Sequence, residues 1–323
     1  MGLTVQLLMG KHQPIGVLSL NPAVDMTYEI PRLLEDQKVH AVATRFDPGG
    51  NGINVGRALK RLETAAQNYC VTAGEVGRLL KHLLADQLDG VDYKEVDGET
   101  RINSTLIERS PQVQYEVSGI GPEILPSELN ELLGRFVEHS VKGFGVLTGS
   151  LQQALPPTIY ADLARRIAEG GGRAVVDSHD EALRCAIDTQ PFLIKPNRHE
   201  LEILLGRPLE SIEAVATEAR ALQRRGVEYV CVSLGGDGAL LTAPDNTYRA
   251  GAPVVVVRSS VGAGDSMLAA LVAAFAHGAT AQKALQLGIA CAAGTVSQPG
   301  TELFSSTDVA NYFEGVAVKC LDI

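Results

Sequence analysis

An α/β fold is what this sequence predicts: a three-layer sandwich around a mostly parallel central sheet, with a small β-sheet standing off it as a lid. Three observations predict it. Short apolar runs recur at 15–20, 145–147, 174–177, 192–195, 229–233 and 254–257, with the length and continuity of strands buried on both faces. Amphipathic segments alternate with them at 53–62, 75–88, 127–139, 157–169, 198–205, 211–225, 264–277 and 280–297, and strands alternating with helices build parallel sheets covered on both sides. Two stretches, 23–47 and 101–120, keep β-like alternation with no helix between. They read as a separate small sheet, either a lid over a ligand or a contact with a second copy. The whole of 1–323 is expected to be one domain, since α/β folds of this size are often undivided.

Composition narrows the function. The chain has 323 residues, 45% of them apolar but only 5% aromatic and none Trp, which suits aliphatic helix-on-sheet packing. A formal net charge of -10 argues against a nucleic-acid partner, which needs a positive surface. It leaves anionic small molecules open, because a local cluster of cations and N–H groups can bind a phosphate. The five cysteines are scattered, with no Cys-x-x-Cys pair, as expected of a reduced cytoplasmic protein. The first 14 residues carry no basic stretch followed by an apolar core, and Gln6 stands where a myristoylation motif needs Ser or Thr, so neither leader nor lipid is expected. No apolar run has membrane-spanning length.

Three motifs carry chemistry. Gly262-Ala263-Gly264-Asp265 opens an apolar helix. Small residues allow close backbone approach, and the free N–H groups of a helix start favour a phosphate. A carboxylate in that turn suits removal of a proton from a hydroxyl that attacks the phosphate; it equally suits a helix cap. Asp47-Pro48-Gly49-Gly50-Asn51-Gly52-Ile53-Asn54 runs a glycine cluster into a helix. It fails the dinucleotide fingerprint, because Val55 stands where the third small residue belongs, and no Gly-Lys-Ser/Thr of a Walker loop occurs anywhere. Lys195-Pro196-Asn197-Arg198-His199-Glu200 ends a strand and starts a helix. Asn197 and Glu200 fit a capping box, and they also fit a hydrated Mg²⁺ site.

Together and in this order, these motifs resemble the phosphofructokinase B family of carbohydrate kinases, which has the ribokinase-like fold. The resemblance runs from about residue 15 to 304. Its further anchors are Asn21-Pro22-Ala23-Val24-Asp25, Thr100-Arg101-Ile102-Asn103, Gly149-Ser150-Leu151 and Ser233-Leu234-Gly235-Gly236-Asp237-Gly238-Ala239. It implies an ATP-dependent phosphotransferase with an alcohol acceptor. Asp265 would be the catalytic base, with the N–H groups of Gly262, Ala263 and Gly264 stabilising the moving phosphoryl group. Asp25, Gly50, Asn54 and Ser150 would line the sugar pocket, and Lys38 with Arg101 would bind a phosphate already on the sugar; each of that pair is otherwise a solvated surface charge. Lys195, Asn197, Ser233, Gly235 and Gly238 would surround ATP, and Glu200 with Asn197 would reach Mg²⁺. The resemblance also implies K⁺ near Ser259, Val261 and 295–300, and a homodimer through the lid.

Within the family the chain looks most like the branch acting on phosphorylated ketohexoses. Fructose 1-phosphate is the first choice, with fructose 6-phosphate and tagatose 6-phosphate close behind. Glu116 and the run Arg198-His199-Glu200-Leu201-Glu202 favour the first. A kinase of an unphosphorylated sugar or nucleoside, and a non-catalytic sugar-phosphate sensor, are the alternatives. Two departures stand out: Gln152-Gln153-Ala154 where relatives usually continue Pro-Pro-Gly, and Asn51 where they often carry Lys or Gly.

Overall fold

The computed structural model describes Leu8, residues 11–110 and residues 112–321. The rest of the amino terminus, read above for a leader, lies outside them. The strands are β1 (Ile15–Ser19), β2 (Ala23–Ile30), β3 (Ala43–Gly49), β4 (Gln67–Ala73), β5 (Gly90–Val96), β6 (Arg101–Arg109), β7 (Gln112–Val117), β8 (Phe144–Thr148), β9 (Arg173–Asp177), β10 (Leu193–Ile194), β11 (Tyr229–Ser233), β12 (Ala239–Thr242), β13 (Thr247–Ala250) and β14 (Val318–Leu321). The helices are α1 (Asn51–Arg61), α2 (Gly74–Leu84), α3 (Pro126–Ser140), α4 (Ile159–Glu169), α5 (Asp180–Ile187), α6 (Arg198–Leu205), α7 (Ile212–Arg224), α8 (Ala263–Ala276), α9 (Ala281–Val296) and α10 (Ser306–Phe313).

Ten strands form one sheet in the order β14-β13-β12-β11-β10-β9-β8-β1-β4-β5. From β11 to β5 every neighbour is parallel, and β12 to β14 add an antiparallel edge. Side chains alternate across a strand, and here both sides are buried. Val17, Val146, Val175 and Leu193 join one core with α1, α8 and α9. Their neighbours Leu18, Leu147, Val176 and Ile194 join the other core with α3, α4 and α7. From Asp265 onward α8 is buried all round, which explains its Ala-rich, charge-poor sequence. The three predicted layers are present.

The second sheet has the order β3-β2-β6-β7. Its central pair β2–β6 is parallel, flanked by antiparallel β3 and β7. Both stretches predicted to stand off the main body lie in it.

One predicted strand is absent. Residues 254–257 form an open loop, and Val254, Val256 and Val257 are largely exposed. Four consecutive valines look like a strand buried on both faces, but among the described residues this segment pairs with no strand: it follows β13 and leads directly to α8. The Gly262 turn therefore follows a loop and not a buried strand.

Candidate active site

The carboxyl ends of the parallel strands carry the chemistry, where open α/β sheets present their ligand crevice. Ser150 follows β8, Asp177 ends β9, Lys195 and Asn197 follow β10, and Ser233 ends β11. An isolated parallel bridge sets Asn197 beside Ser233.

Asp265 sits in the first turn of α8 and is 5% exposed. The cap position is Gly262, whose left-handed φ of 78° a side chain rarely adopts, and no side chain caps this helix. The Asp265 carboxylate turns instead to α1. Asn51 Nδ2 donates to its Oδ1 and Asn54 Nδ2 to its Oδ2, each at 2.9 Å. The helix-cap alternative therefore does not describe this side chain. Burial pushes its carboxyl above the ordinary Asp range, while the Asn54 and Asn51 bonds and the Lys195 charge oppose that shift. Asn51, noted in the sequence only as a departure, is thus a direct partner of Asp265. Its spacing of three residues from Asn54 on one helix was the available signal. The Ala263 N–H leans to Ser260 O at 3.4 Å, so it is the least free of the three N–H groups singled out.

Lys195 Nζ lies 3.2 Å from Asp177 Oδ1 and 3.3 Å from where a side chain at Gly264 would begin. Burial raises Asp177 to about 6, against the pull of Lys195. Burial also disfavours the Lys195 charge, but Asp177 and then Asp265 outweigh it and hold the ammonium above its usual value. Asp177 was not anticipated; its place at a strand's carboxyl end was the signal.

Beside Lys195 opens a cavity of about 600 Å³, in the size range of small-ligand pockets. One wall is apolar, with Val254, Val255, Val257, Met267, Ile289 and Val296. The other carries Asn197, Ser233, Gly235, Gly236 and Gly238, and the cavity floor reaches Ala263 and Gly264. No heavy atom lies within 4 Å of where a side chain at Gly235 or Gly236 would begin, so backbone faces open space there. Asn197 and Glu200 do form the reciprocal capping box: Glu200 N–H donates to Asn197 Oδ1 and Asn197 N–H to Glu200 Oε2, both at 2.8 Å.

Across the crevice, β2 and β6 bring Asp25 and Arg101 together. Asn103, opposite Asp25 in the register, donates to Asp25 Oδ1 at 2.8 Å. Burial raises the Asp25 carboxyl, opposed by Asn103 and then Arg101. Arg101 spends only Nε, on Asn21 O at 3.1 Å; its two terminal nitrogens meet no protein acceptor among the described residues. Asn21 Nδ2 in turn donates to Ser150 Oγ at 3.1 Å. Gly49 and Gly50 lie in the turn from β3 into α1, and a side chain at Gly49 would overlap the Asp25 carboxylate. Gln152, from the departing loop, is buried with Oε1 unpartnered. Lys38 is not drawn in: it is exposed in the loop between β2 and β3 and forms no ion pair among the described residues. A loop position without a strand register had left its placement open.

The buried carboxylate, the helix start and the glycine-walled cavity lie together at the carboxyl ends of the parallel strands. A model of the pfkB family of carbohydrate kinases matches residues 17–308. The chain belongs to that family. It is 34% identical over 296 residues to the 1-phosphofructokinase of Bacillus subtilis, covering 90% of this kinase and 95% of that protein. Phosphofructokinase-2 from Escherichia coli, solved in complex with substrates and products, superposes with a TM-score of 0.89 at 30% identity, over 94% of this kinase and 99% of that chain. Ribokinase from Arabidopsis thaliana, at 22% identity and a TM-score of 0.76 over 94% of this chain and 99% of that one, shares the fold. The ribokinase-like α/β architecture is therefore the one this kinase has. Among the described residues, no helix is long and apolar enough to cross a membrane.

Proposed function

We propose that this kinase transfers the γ-phosphoryl group of ATP to O6 of fructose 1-phosphate, giving fructose 1,6-bisphosphate and ADP. The observation that carries the reading is Asp265: a buried carboxylate, held at both oxygens by amides, at the start of a helix that floors a 600 Å³ cavity. Asp265 accepts the proton of the attacking primary hydroxyl and later releases it to solvent. The N–H groups at Gly262, Ala263 and Gly264 stabilise charge on the phosphoryl group in flight, with Ala263 the weakest contributor. Lys195 adds a fixed positive charge beside Gly264. Most of the rate gain comes from alignment and electrostatics.

ATP occupies the cavity, its base against the valine wall and its phosphates along Ser233, Gly235 and Gly238. Mg²⁺ keeps most of its waters and would arrive with the nucleotide phosphates, needing only one or two protein groups. Glu200 has Oε1 left to meet such water, while Asn197 chiefly holds Glu200 in place; a bound ion would supply charge neutralisation at the phosphates. K⁺ would sit near Ser259, Val261 and 295–300, where the Arg258 and Ser259 N–H groups donate to Val296 O and so hold the loop before α8 against the end of α9.

Asp25, Asn54, Gly50 and Ser150 meet the sugar hydroxyls. The two unspent nitrogens of Arg101 meet its phosphate, where a bidentate guanidinium is the best-matched donor. Lys38 joins only if its loop folds in as the small sheet closes over the sugar, a lid on an otherwise single domain. Phe46, Ile102, Tyr115 and Val117 leave apolar surface exposed on that sheet, which supports a homodimer through it. The preference for fructose 1-phosphate draws support from the curated relatives named 1-phosphofructokinase. A coupled ADP-release assay over fructose 1-phosphate, fructose 6-phosphate, tagatose 6-phosphate, fructose, ribose and a nucleoside tests the reading. The highest kcat/KM is expected with fructose 1-phosphate. Equal turnover of unphosphorylated sugars would overturn the phosphate site, and binding without turnover would make the chain a sensor.

A further inference from the structure

Arg57 is 3% exposed, yet among the described residues no carboxylate pairs with it directly. Nε donates to Gln87 Oε1 at 2.6 Å. Nη1 faces three oxygens at 3.4 Å each: Pro48 O in the glycine turn, Thr301 O in the loop after α9, and Oδ1 of Asn54. A guanidinium buried this deeply is costly unless its donors are engaged, so this placement needs a reason.

Asn54 supplies one. An amide has a donating and an accepting end that differ little in shape; an ionised Asp265 favours the donating end, whereas a protonated Asp265 could meet either. Arginine has no acceptor and keeps its proton, so it admits only the amide oxygen. That leaves the NH2 group for Asp265 Oδ2, where it is found. One turn along α1, Arg61 grips the same loop, donating to Phe304 O at 2.8 Å and to Leu303 O. Leu303 in turn packs 2.9 Å from where a side chain at Gly262 would begin. The cationic end of α1 therefore fixes the amide that holds Asp265 and the loop that backs the turn before it.

We propose that Arg57 is a positioning residue for phosphoryl transfer, keeping the Asn54 amide donor-side toward Asp265 and tying the glycine turn to the Thr301 loop. The inference rests on the reading of Asp265 as the base. The charged groups facing Asp265 are Lys195 and, behind it, Asp177 and Glu200. Those around Arg57 are Arg61, Glu302, Asp47 and Asp25. None of them takes over the orientation of the amide.

The test is a cycle of Arg57→Met, Asn54→Leu and the double variant, with Arg57→Lys as a milder second probe. Steady-state kinetics with fructose 1-phosphate, pH profiles of kcat, and thermal melts are read for each. Arg57→Met is expected to lower kcat roughly 10- to 100-fold, with the KM for ATP little changed. The acid limb of kcat should move to higher pH, because Asp265 loses a bond to its charged form. In the Asn54→Leu background the same change should cost little more, as expected of residues acting through one another. Arg57→Lys should recover part of kcat. Unshifted acid limbs in both Arg57 variants, or additive losses in the cycle, would overturn the inference. If Arg57→Met does not fold, Arg57→Lys carries the same pH readout. Near-normal turnover in Asp265→Asn would instead sink the base assignment itself, so the two failures are distinguishable.

Discussion

Replacing Asp265 with Asn separates chemistry from architecture, because the two losses differ in size. Asn51 and Asn54 each present an NH2 hydrogen to one carboxylate oxygen at 2.9 Å. An amide in that slot offers one oxygen and one NH2, so one bond survives and the other becomes donor against donor. Losing a bond to a charged acceptor costs about 1.5–3 kcal/mol. Removing a carboxylate that burial already disfavours offsets much of this. Asp177 still accompanies Lys195 at 3.2 Å. A net loss of about 1 kcal/mol lowers Tm by roughly 2 °C in a chain of this length. The kinetic loss is larger. Removing a general base costs about 10²–10⁴ in kcat, equivalent to about 3–5 kcal/mol of barrier. The assay couples ADP release to an indicator reaction at saturating substrates, alongside a thermal melt and ATP titration calorimetry. The expected result is a folded, ATP-binding chain with kcat down by those orders. A kcat within about tenfold of wild type would refute the reasoning.

Three other outcomes follow from the same geometry. In the intact kinase, kcat should rise with pH through a value above the ordinary Asp pKa of about 3.9, because burial raises the Asp265 carboxyl and only its ionised form accepts a proton; an acid limb at or below that value contradicts the assignment. Arg101→Ala should raise KM for the sugar phosphate about tenfold or more, the loss of one or two charge-assisted bonds, and an unchanged KM would remove Arg101 from the phosphate site. Gly49→Ala should weaken sugar-phosphate binding while leaving ATP affinity intact, since its methyl overlaps the Asp25 carboxylate and drives it off Asn103; isothermal titration with each ligand reads both, and equal weakening of the two would point to general misfolding.

Much of this architecture was legible because local and tertiary demands agree in it. The runs at β1, β8, β9 and β11 are apolar since both faces are buried, and the two stand-off stretches mix polar with apolar residues since the small sheet is only partly covered, most of β2 and β6 being half-buried and most of β7 exposed. Residues 254–257 broke the rule for a physical reason: apolar character reports contact with something apolar, and a ligand cavity qualifies as well as a core. Strands β4 and β5 were missed for the converse reason, because Asn68 and Thr72 are buried polar positions within β4 that interrupt the apolar run. Helices α5 and α10 were also missed, whereas the equally short α6 was visible because Pro196 ends the strand before it and Asn197 and Glu200 mark its start. At the site, Asp265 and Asn54 were found through glycine-rich turns that sequence makes visible. Asn51 and Asp177 carried only weak local signals, a helical spacing and a strand end, and the contacts that single them out, like those of Arg57 to Gln87 and Thr301, join distant segments (Asn51 and Asp265 lie 214 residues apart).

The valine loop has a consequence for handling the protein. Val254 to Val257 form an uncharged, β-prone window, the type of segment that recruits like segments from other chains. Here it is bounded by Pro253 on one side and Arg258 on the other, residues that discourage strand pairing at its ends. Between those guards Val254, Val256 and Val257 are largely exposed, and Val254, Val255 and Val257 line the cavity proposed for ATP. Nucleotide would then act as a folding-independent solubiliser, and preparations stripped of it should lose colloidal stability sooner than thermal stability.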